Sequence, residues 1–399
     1  MGMRIGVCGA GSFAGSFIPL FQAHPLVDEV VLAEALPDRR AEQAARFGVA
    51  RAVAGLDDLC ATDVDAIALF TQRWLHGPQA VQALRAGKHV YSAIPAAVTL
   101  DEVQALVRAV EETGLVYMTG ETSYYYPATL YCRRRFRDGD FGRFVYGEAE
   151  YLHDMSHGFY AAYQHSGGAA WKRTASFPPM LYPTHSVSMI LSVTGARLTS
   201  VSCLGYVDGE DDGVFRPEVS LWGNAFSNET ALFRTSDGGM CRINEFRRVG
   251  LAGGASVRLS LYGTRGSFEE QTNARVWNTL DVREQEDVAP LLECKDLPVP
   301  AGERAGLPAA LQEDFFKGLA AVHPAERLPA AFAGLRNGHY GSHQFLVCDF
   351  LEAIDRGEPP PNNVWASARY CVPGIVAHES AQREGARLEI PDFGDPPRL

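Results

Sequence analysis

The run Gly6-Val7-Cys8-Gly9-Ala10-Gly11-Ser12-Phe13-Ala14 carries a G-x-G-x-x-A pattern directly behind an apolar, strand-like segment. In such a loop Gly9 permits the tight turn, and Gly11 lets the backbone approach a pyrophosphate. Ala14 allows a helix to pack closely on the strand. A helix starting near Ser12 and Phe13 offers its N-terminal N–H groups and positive dipole end to phosphates. Glu34 lies 20 residues beyond Ala14, where a ribose-diol acceptor belongs. A carboxylate there repels a 2′-phosphate, so these residues favour NAD over NADP. Arg39 and Arg40 on the following helix keep NADP as the alternative.

A second group can move protons. Tyr182 and His185 fall in Leu181-Tyr182-Pro183-Thr184-His185-Ser186. An imidazole titrates near pH 6.5 and serves as acid or base at neutral pH. A phenol, near 10, needs a neighbouring charge to act as a base. The plain alternative for His185 is a helix cap bonded to a backbone carbonyl. His153 and Asp154, with His157 three residues on, suit substrate hydrogen bonding. No matching third ligand supports a metal. Tyr124-Tyr125-Tyr126-Pro127 follows the strand expected at 115–119, at the sheet edge where open α/β sheets bind ligands. At least one of these tyrosines is expected to touch substrate and the others to pack between domains. Lys172 and Arg173 follow Trp171, a pairing that suits a sugar pocket or a solvated surface. Alternation leaves one of Arg247 and Arg248 facing inward. The small-residue loop 337–343 is a further candidate for reaching substrate.

These residues need a frame. Apolar runs at 4–8, 27–34, 66–70, 89–93 and 115–119 alternate with helical patterns at 38–47, 75–86 and 99–113. Thr99 with Glu102 forms a capping box, and Gly48, Gly87 and Gly114 mark helix ends. Pro19 is expected to kink the first helix. This is the pattern of a parallel, doubly wound sheet. From about residue 140 the pattern becomes alternating, at 145–153, 199–207, 225–235, 240–249 and 256–262, with hairpin turns at 236–239 and 263–266. A helix at 183–194 precedes four of these segments. Residues 286–340 read as loop-rich, with Pro290, Pro298, Pro300 and Pro308. Helices at 343–356 and 366–384 close the chain. The expectation is an α/β protein: a Rossmann domain over residues 1–123, then an α/β domain over 124–399 with a large, open, mostly antiparallel sheet. Helices 343–384 are expected to pack back towards the first domain.

Composition narrows the partners. The 399 residues carry a net charge of −12, which disfavours nucleic acid and anionic membranes. No apolar stretch is long enough to span a bilayer and no signal peptide is evident. Eight cysteines without a CxxC pair suggest reduced thiols and a cytoplasmic home. Only Lys88, Lys172, Lys295 and Lys317 are lysines, among 36 basic residues.

Thr71, His76 and the run Gly87-Lys88-His89-Val90-Tyr91-Ser92-Ala93-Ile94-Pro95-Ala96-Ala97 resemble the Gfo/Idh/MocA oxidoreductases. The resemblance implies NAD(P), contacts from Thr71, His76 and Pro95, a sugar or polyol substrate, and a homodimer or homotetramer. It also implies that the helix bearing His185 faces the nicotinamide pocket. Such dehydrogenases carry Glu-Lys-Pro where this chain has Ala93-Ile94-Pro95, and Ile94 cannot transfer a proton. Leu181–Ser186, Met118–Tyr125 and Tyr151-Leu152-His153-Asp154 resemble instead the NAD-dependent glycosidases of glycoside hydrolase family 109. That branch implies redox-neutral cleavage: hydride removal at C3, C2 deprotonation by Tyr125 or Tyr182, departure of the C1 group with help from His185, water addition and re-reduction. The alternatives are a sugar or inositol dehydrogenase using His185 as base, and a non-catalytic NAD- or sugar-binding regulator.

Overall fold

The computed structural model describes residues 2–251, 256–280, 285–297 and 316–396. Pro298, Pro300 and Pro308 lie outside them. The chain builds two sheets. The first holds β1 (Met3–Cys8), β2 (Val27–Ala33), β3 (Arg51–Val53), β4 (Ala66–Leu69), β5 (His89–Ser92) and β6 (Tyr117–Thr119). Their order is β3-β2-β1-β4-β5-β6, all parallel. Central strands are buried on both faces, which explains their unbroken apolar runs. The strand over Arg51–Val53 escaped the sequence reading because it has three residues at the sheet edge and no apolar run.

The second sheet holds β7 (Phe144–Leu152), β8 (Leu198–Val207), β9 (Phe226–Thr235), β10 (Met240–Phe246), β11 (Val257–Gly263), β12 (Gly266–Glu270), β13 (Arg275–Thr279), β14 (Glu286–Asp287) and β15 (Leu388–Glu389). Their order is β14-β13-β12-β11-β7-β10-β9-β8-β15. All neighbours are antiparallel except β7 and β10, which pair in parallel at the sheet centre. Both expected hairpin turns are present, between β9 and β10 and between β11 and β12. The last four strands were not expected. They are short, and β14 and β15 have two residues each.

Helices bind the two sheets into one body. The helix Ala14–Ala23 contains Pro19 and shares one buried cluster, holding Phe17, Phe21, Phe345 and Phe350, with the helix His343–Arg356. All four rings are fully buried, and each contributes roughly 2–3 kcal/mol of transfer free energy. The helix Val364–Gln382 packs on both sheets and belongs to the core that runs through both. Its approach has one strict requirement: a Cβ on Gly374 would stand 2.0 Å from the Met180 carbonyl oxygen and 2.3 Å from the Pro183 ring. That contact fixes the turn carrying Tyr182. Glu229 holds the same turn, accepting the Met180 N–H at 2.8 Å while His378 Nδ1 donates to its other oxygen at 2.8 Å. No helix among the described residues is long and apolar enough to cross a membrane.

Candidate active site

The glycine loop has the shape its sequence demands. Gly9 has φ +92°, and a Cβ there would press to 2.8 Å on the Phe70 carbonyl oxygen. Gly11 and Ser12 are exposed at the start of the helix, and a Cβ on Gly11 would meet nothing within 4 Å. Ala14 is fully buried. Phe13 turns away, its ring packed near Phe17, Phe70, His339 and His343. It offers backbone rather than side chain to a phosphate.

Glu34 follows β2 and is locked beside the loop. Its Oε2 accepts the Ala10 N–H at 3.0 Å and its Oε1 the Leu36 N–H at 3.1 Å. Each oxygen retains a lone pair for a ribose hydroxyl. Arg40 donates to the Glu34 carbonyl oxygen at 2.8 Å, and the Arg39 guanidinium stands 3.9 Å from the carboxylate. An open glycine cradle with a fixed carboxylate at its end fits a dinucleotide bearing a free 2′-hydroxyl.

The far wall comes from the loops after β4 and β5. His76 is fully buried and spans them, with Nδ1 3.0 Å from the Pro95 carbonyl oxygen and Nε2 3.2 Å from that of Thr71. Burial holds its pKa down to about 4. A neutral imidazole donates to one carbonyl at a time. His76 therefore braces Thr71 and Pro95 and presents no ring nitrogen to a cofactor. The Thr71 hydroxyl donates to Gln79, and the Ile94–Pro95 peptide is cis. Lys88 sits at the opposite sheet edge, bonded to the Thr62 and Val64 carbonyls, so it cannot replace the lysine missing at Ile94.

His185 is the second residue of the helix Thr184–Thr194 and is 4% exposed. Its Nδ1 lies 2.9 Å from Oε1 of Glu121, a carboxylate with no exposure. Ser123 Oγ and Thr122 Oγ1 stand 3.1 and 3.4 Å from the same nitrogen. A carboxylate only accepts, so Nδ1 carries a proton and donates it, which in the neutral ring places the lone pair on Nε2. Glu121 Oε1 also accepts the Ser123 N–H at 2.7 Å, capping the short turn Thr122–Tyr125. Its Oε2 is buried without a partner among the described residues. Sequence reasoning missed Glu121. Its signal was position: a lone acid two residues past the last parallel strand, where ligands collect.

Around His185 stand aromatic and basic groups. The Tyr182 ring is 5.7 Å away and Tyr151 5.3 Å. His339 lies 6.3 Å off, stacked at 26°. Burial lowers the His339 pKa to about 3. His153 stacks on Phe159 at 4.3 Å, and burial with the Arg247 charge pushes its pKa down to about 4. Arg247 points inward and pairs with Glu245 at 2.9 Å, whereas Arg248 points outward to Asp208 and Asp212. Burial raises the Glu245 carboxyl to about 7.

Several expected site residues stand elsewhere. Tyr125 is a core residue: its hydroxyl donates to Asp349 at 2.5 Å, accepts from Arg327 at 3.1 Å, and its ring stacks on Phe345. Burial, then the Asp349 charge, lifts its pKa above the ordinary phenol value, so it is no base. Tyr124 lies under the Arg133 guanidinium, 3.7 Å from the ring. Tyr126 faces His185 instead, with centroids 6.4 Å apart. Burial also raises Tyr182, which leaves a phenol that donates rather than a base. Asp154 spends both oxygens on Ser156 and the Val249 N–H, so it shapes a turn. Lys172 and Arg173 are exposed, and Lys172 bonds the Asp212 carbonyl. Lys172 also lies over the Trp171 ring, away from His185.

A family model described as "Oxidoreductase family, NAD-binding Rossmann fold" (Gfo/Idh/MocA) matches residues 3–121. A glycosyl hydrolase family 109 protein of Saccharopolyspora erythraea is 26% identical over 98% of this chain and 83% of its own length. A second, from Streptomyces niveus, is 28% identical over 98% of this chain and 77% of its own length. Levoglucosan dehydrogenase in complex with NADH superposes with a TM-score of 0.71 at 19% identity, covering 98% of this chain and 100% of that one. Residues 3–121 thus match the NAD-binding Rossmann fold of the Gfo/Idh/MocA oxidoreductases, and the chain is an NAD-dependent enzyme.

Proposed function

We propose that this protein is an NAD-dependent carbohydrate-active enzyme that cleaves glycosides without net redox change. The sugar is oxidised at C3, loses its C1 substituent by elimination, adds water and is reduced again. The observation that carries the reading is the buried Glu121–His185 pair. It stands beyond the C-terminal end of β6, in a chain whose family lysine position is Ile94. Elimination followed by water addition needs one group that both takes and returns a proton, and an imidazole does this near neutral pH. The likeness to glycosyl hydrolase family 109 proteins over nearly the whole chain supports the same reading.

Gly9, Gly11, Ser12 and Phe13 would hold the pyrophosphate through their backbone, and Glu34 the ribose diol. Bound NAD supplies hydride removal and return at the sugar. Glu121 holds His185 in the tautomer that leaves Nε2 free to accept a proton, and steadies the imidazolium that forms. Tyr182 and Tyr126 give the sugar phenolic partners, and the neutral His153 ring offers a hydrogen bond without charge. Water is kept away by the rings of Tyr151, Tyr182 and Phe159.

The test supplies glycosides to the NAD-loaded protein and follows free sugar and reduced cofactor together. Sugar release without accumulating reduced cofactor is expected. Accumulation equal to the sugar consumed favours the dehydrogenase, which would use the same histidine on a hydroxyl proton. Neither activity in the parent would leave a binding protein, and full activity in His185→Ala would remove His185 from the chemistry.

We also propose a cytoplasmic homo-oligomer. Eight unpaired cysteines support the location. Leu204, Tyr206, Leu232 and Met240 are exposed on the outward face of the second sheet and support the assembly.

A further inference from the structure

Arg73 begins the short turn after β4, where the first domain faces the second. Its guanidinium carbon lies 4.4 Å from the Tyr182 ring centre, 5.4 Å from Phe159, 5.5 Å from Tyr163 and 5.6 Å from Phe177. Among the described residues it makes no hydrogen bond and no ion pair. The neighbouring arginines differ. Arg247 has Glu245, and Arg248 has Asp208 and Asp212. Aromatic faces balance a cation's charge, yet they leave a guanidinium's five N–H donors unused. A planar fork that stays charged and lacks acceptors matches a carboxylate in two parallel hydrogen bonds.

The Tyr182 ring is shared. One contact is the Arg73 guanidinium and another, at 5.7 Å, is His185. The cation and the imidazole thus share one aromatic neighbour. Arg247 has Glu245 and His185 has Glu121, whereas the Arg73 guanidinium has no acidic partner among the described residues.

We propose that Arg73 recognises a carboxylate on the substrate's sugar, so that this enzyme takes uronic-acid-type glycosides rather than neutral ones. The inference rests on the reading of the substrate as a sugar, but not on the cleavage scheme. Nothing in the sequence pattern pointed to it: Arg73 stands alone between Gln72 and Trp74.

The test is a binding measurement that needs no turnover. The NAD-loaded protein is titrated with D-glucuronate and D-galacturonate, and with D-glucose and D-galactose, and melting temperature reports binding. At least one uronate is expected to bind about tenfold or more tighter than its neutral counterpart, the usual scale of a charge-assisted pair. Arg73→Gln is expected to abolish that preference, Arg73→Lys to keep part of it, and both to bind NAD within about twofold of the parent. Equal binding of acid and neutral sugars overturns the proposal, as does no binding of any of them. A preference that survives in Arg73→Gln overturns it too. Loss of NAD affinity in that variant assigns the guanidinium to the cofactor instead. A uronate preference without glycoside cleavage keeps the carboxylate site and removes only the cleavage scheme.

Discussion

His185 Nδ1 and Glu121 Oε1 stand 2.9 Å apart across the two domains, with both side chains closed off from solvent. The carboxylate comes from the first domain and the imidazole from the second, so the pair proposed to move the proton exists only when the two are packed together. Glu121→Gln replaces the pure acceptor with a group that can also donate, which frees the ring to invert its tautomer. Turnover is expected to fall roughly 10²- to 10⁴-fold, the range for a lost general acid–base. NAD affinity, measured by fluorescence titration, is expected to stay within about twofold. Full turnover in Glu121→Gln would show that the pair does not carry the chemistry.

Tyr125→Phe separates core from site. The hydroxyl bridges Asp349 and Arg327, and hydrogen bonds to charged groups contribute about 1.5–3 kcal/mol. Urea denaturation is expected to show a loss of that size, with kcat changed by less than about threefold. A collapse of kcat at unchanged stability would return Tyr125 to the site.

The choice of NAD over NADP is proposed to rest on Glu34. Arg39 lies 3.9 Å from its carboxylate and Arg40 holds its carbonyl. Glu34→Ser removes the repulsion towards a 2′-phosphate and leaves both guanidinium groups in place. The NADP-to-NAD affinity ratio is expected to rise at least about tenfold. An unchanged ratio would mean that the carboxylate does not face the ribose.

The two domains were legible because their signals are local. The glycine loop, the caps at Thr99 and Gly114 and the period change near residue 140 each depend on a few neighbouring residues. The site was less legible because it is assembled from distant segments. Glu121 and His185 are 64 residues apart in sequence, and only the docking of the domains makes them a pair. Tyr125 and Tyr126 are adjacent and equivalent by composition. The tight turn Thr122–Tyr125 sends one ring onto Phe345 and the other towards His185. Lys172 and Arg173 carried the right chemistry for a sugar anion, but their segment lies at the surface. Arg73, which no motif marked, is the cation set among the rings of Tyr182, Phe159 and Tyr163.

Packing gives a stability prediction. In Gly374→Ala the new methyl meets the Met180 carbonyl oxygen at 2.0 Å, and neither the helix nor the turn can yield freely. A loss of about 1–3 kcal/mol is expected in denaturant unfolding, with a higher KM because Tyr182 moves. Unchanged stability and KM would show that the helix Val364–Gln382 does not set the turn.

Burial of neutral His76 makes stability depend on pH. Its pKa is lowered to about 4 in the folded chain, against about 6.5 when unfolded. Below 6.5 the unfolded state binds the extra proton, so this contribution is present at neutral pH and is lost as pH falls from about 6.5 to 4. Between pH 7 and about 5 it amounts to about 2 kcal/mol at 1.36 kcal/mol per unit. His76→Gln is expected to lose that much less stability than the parent over the same interval. Equal losses would mean that the imidazole is not held neutral.

Solvent labelling reads the proposed chemistry at the atom where it occurs. The NAD-loaded enzyme is incubated with its glycoside in deuterated water, and the released sugar is examined by NMR and mass spectrometry. Elimination and water addition exchange the C2 proton, so released sugar is expected to carry deuterium at C2 while the cofactor ends in its starting oxidation state. Released sugar with no label at C2, or a ketone product matched by reduced cofactor, would contradict redox-neutral cleavage.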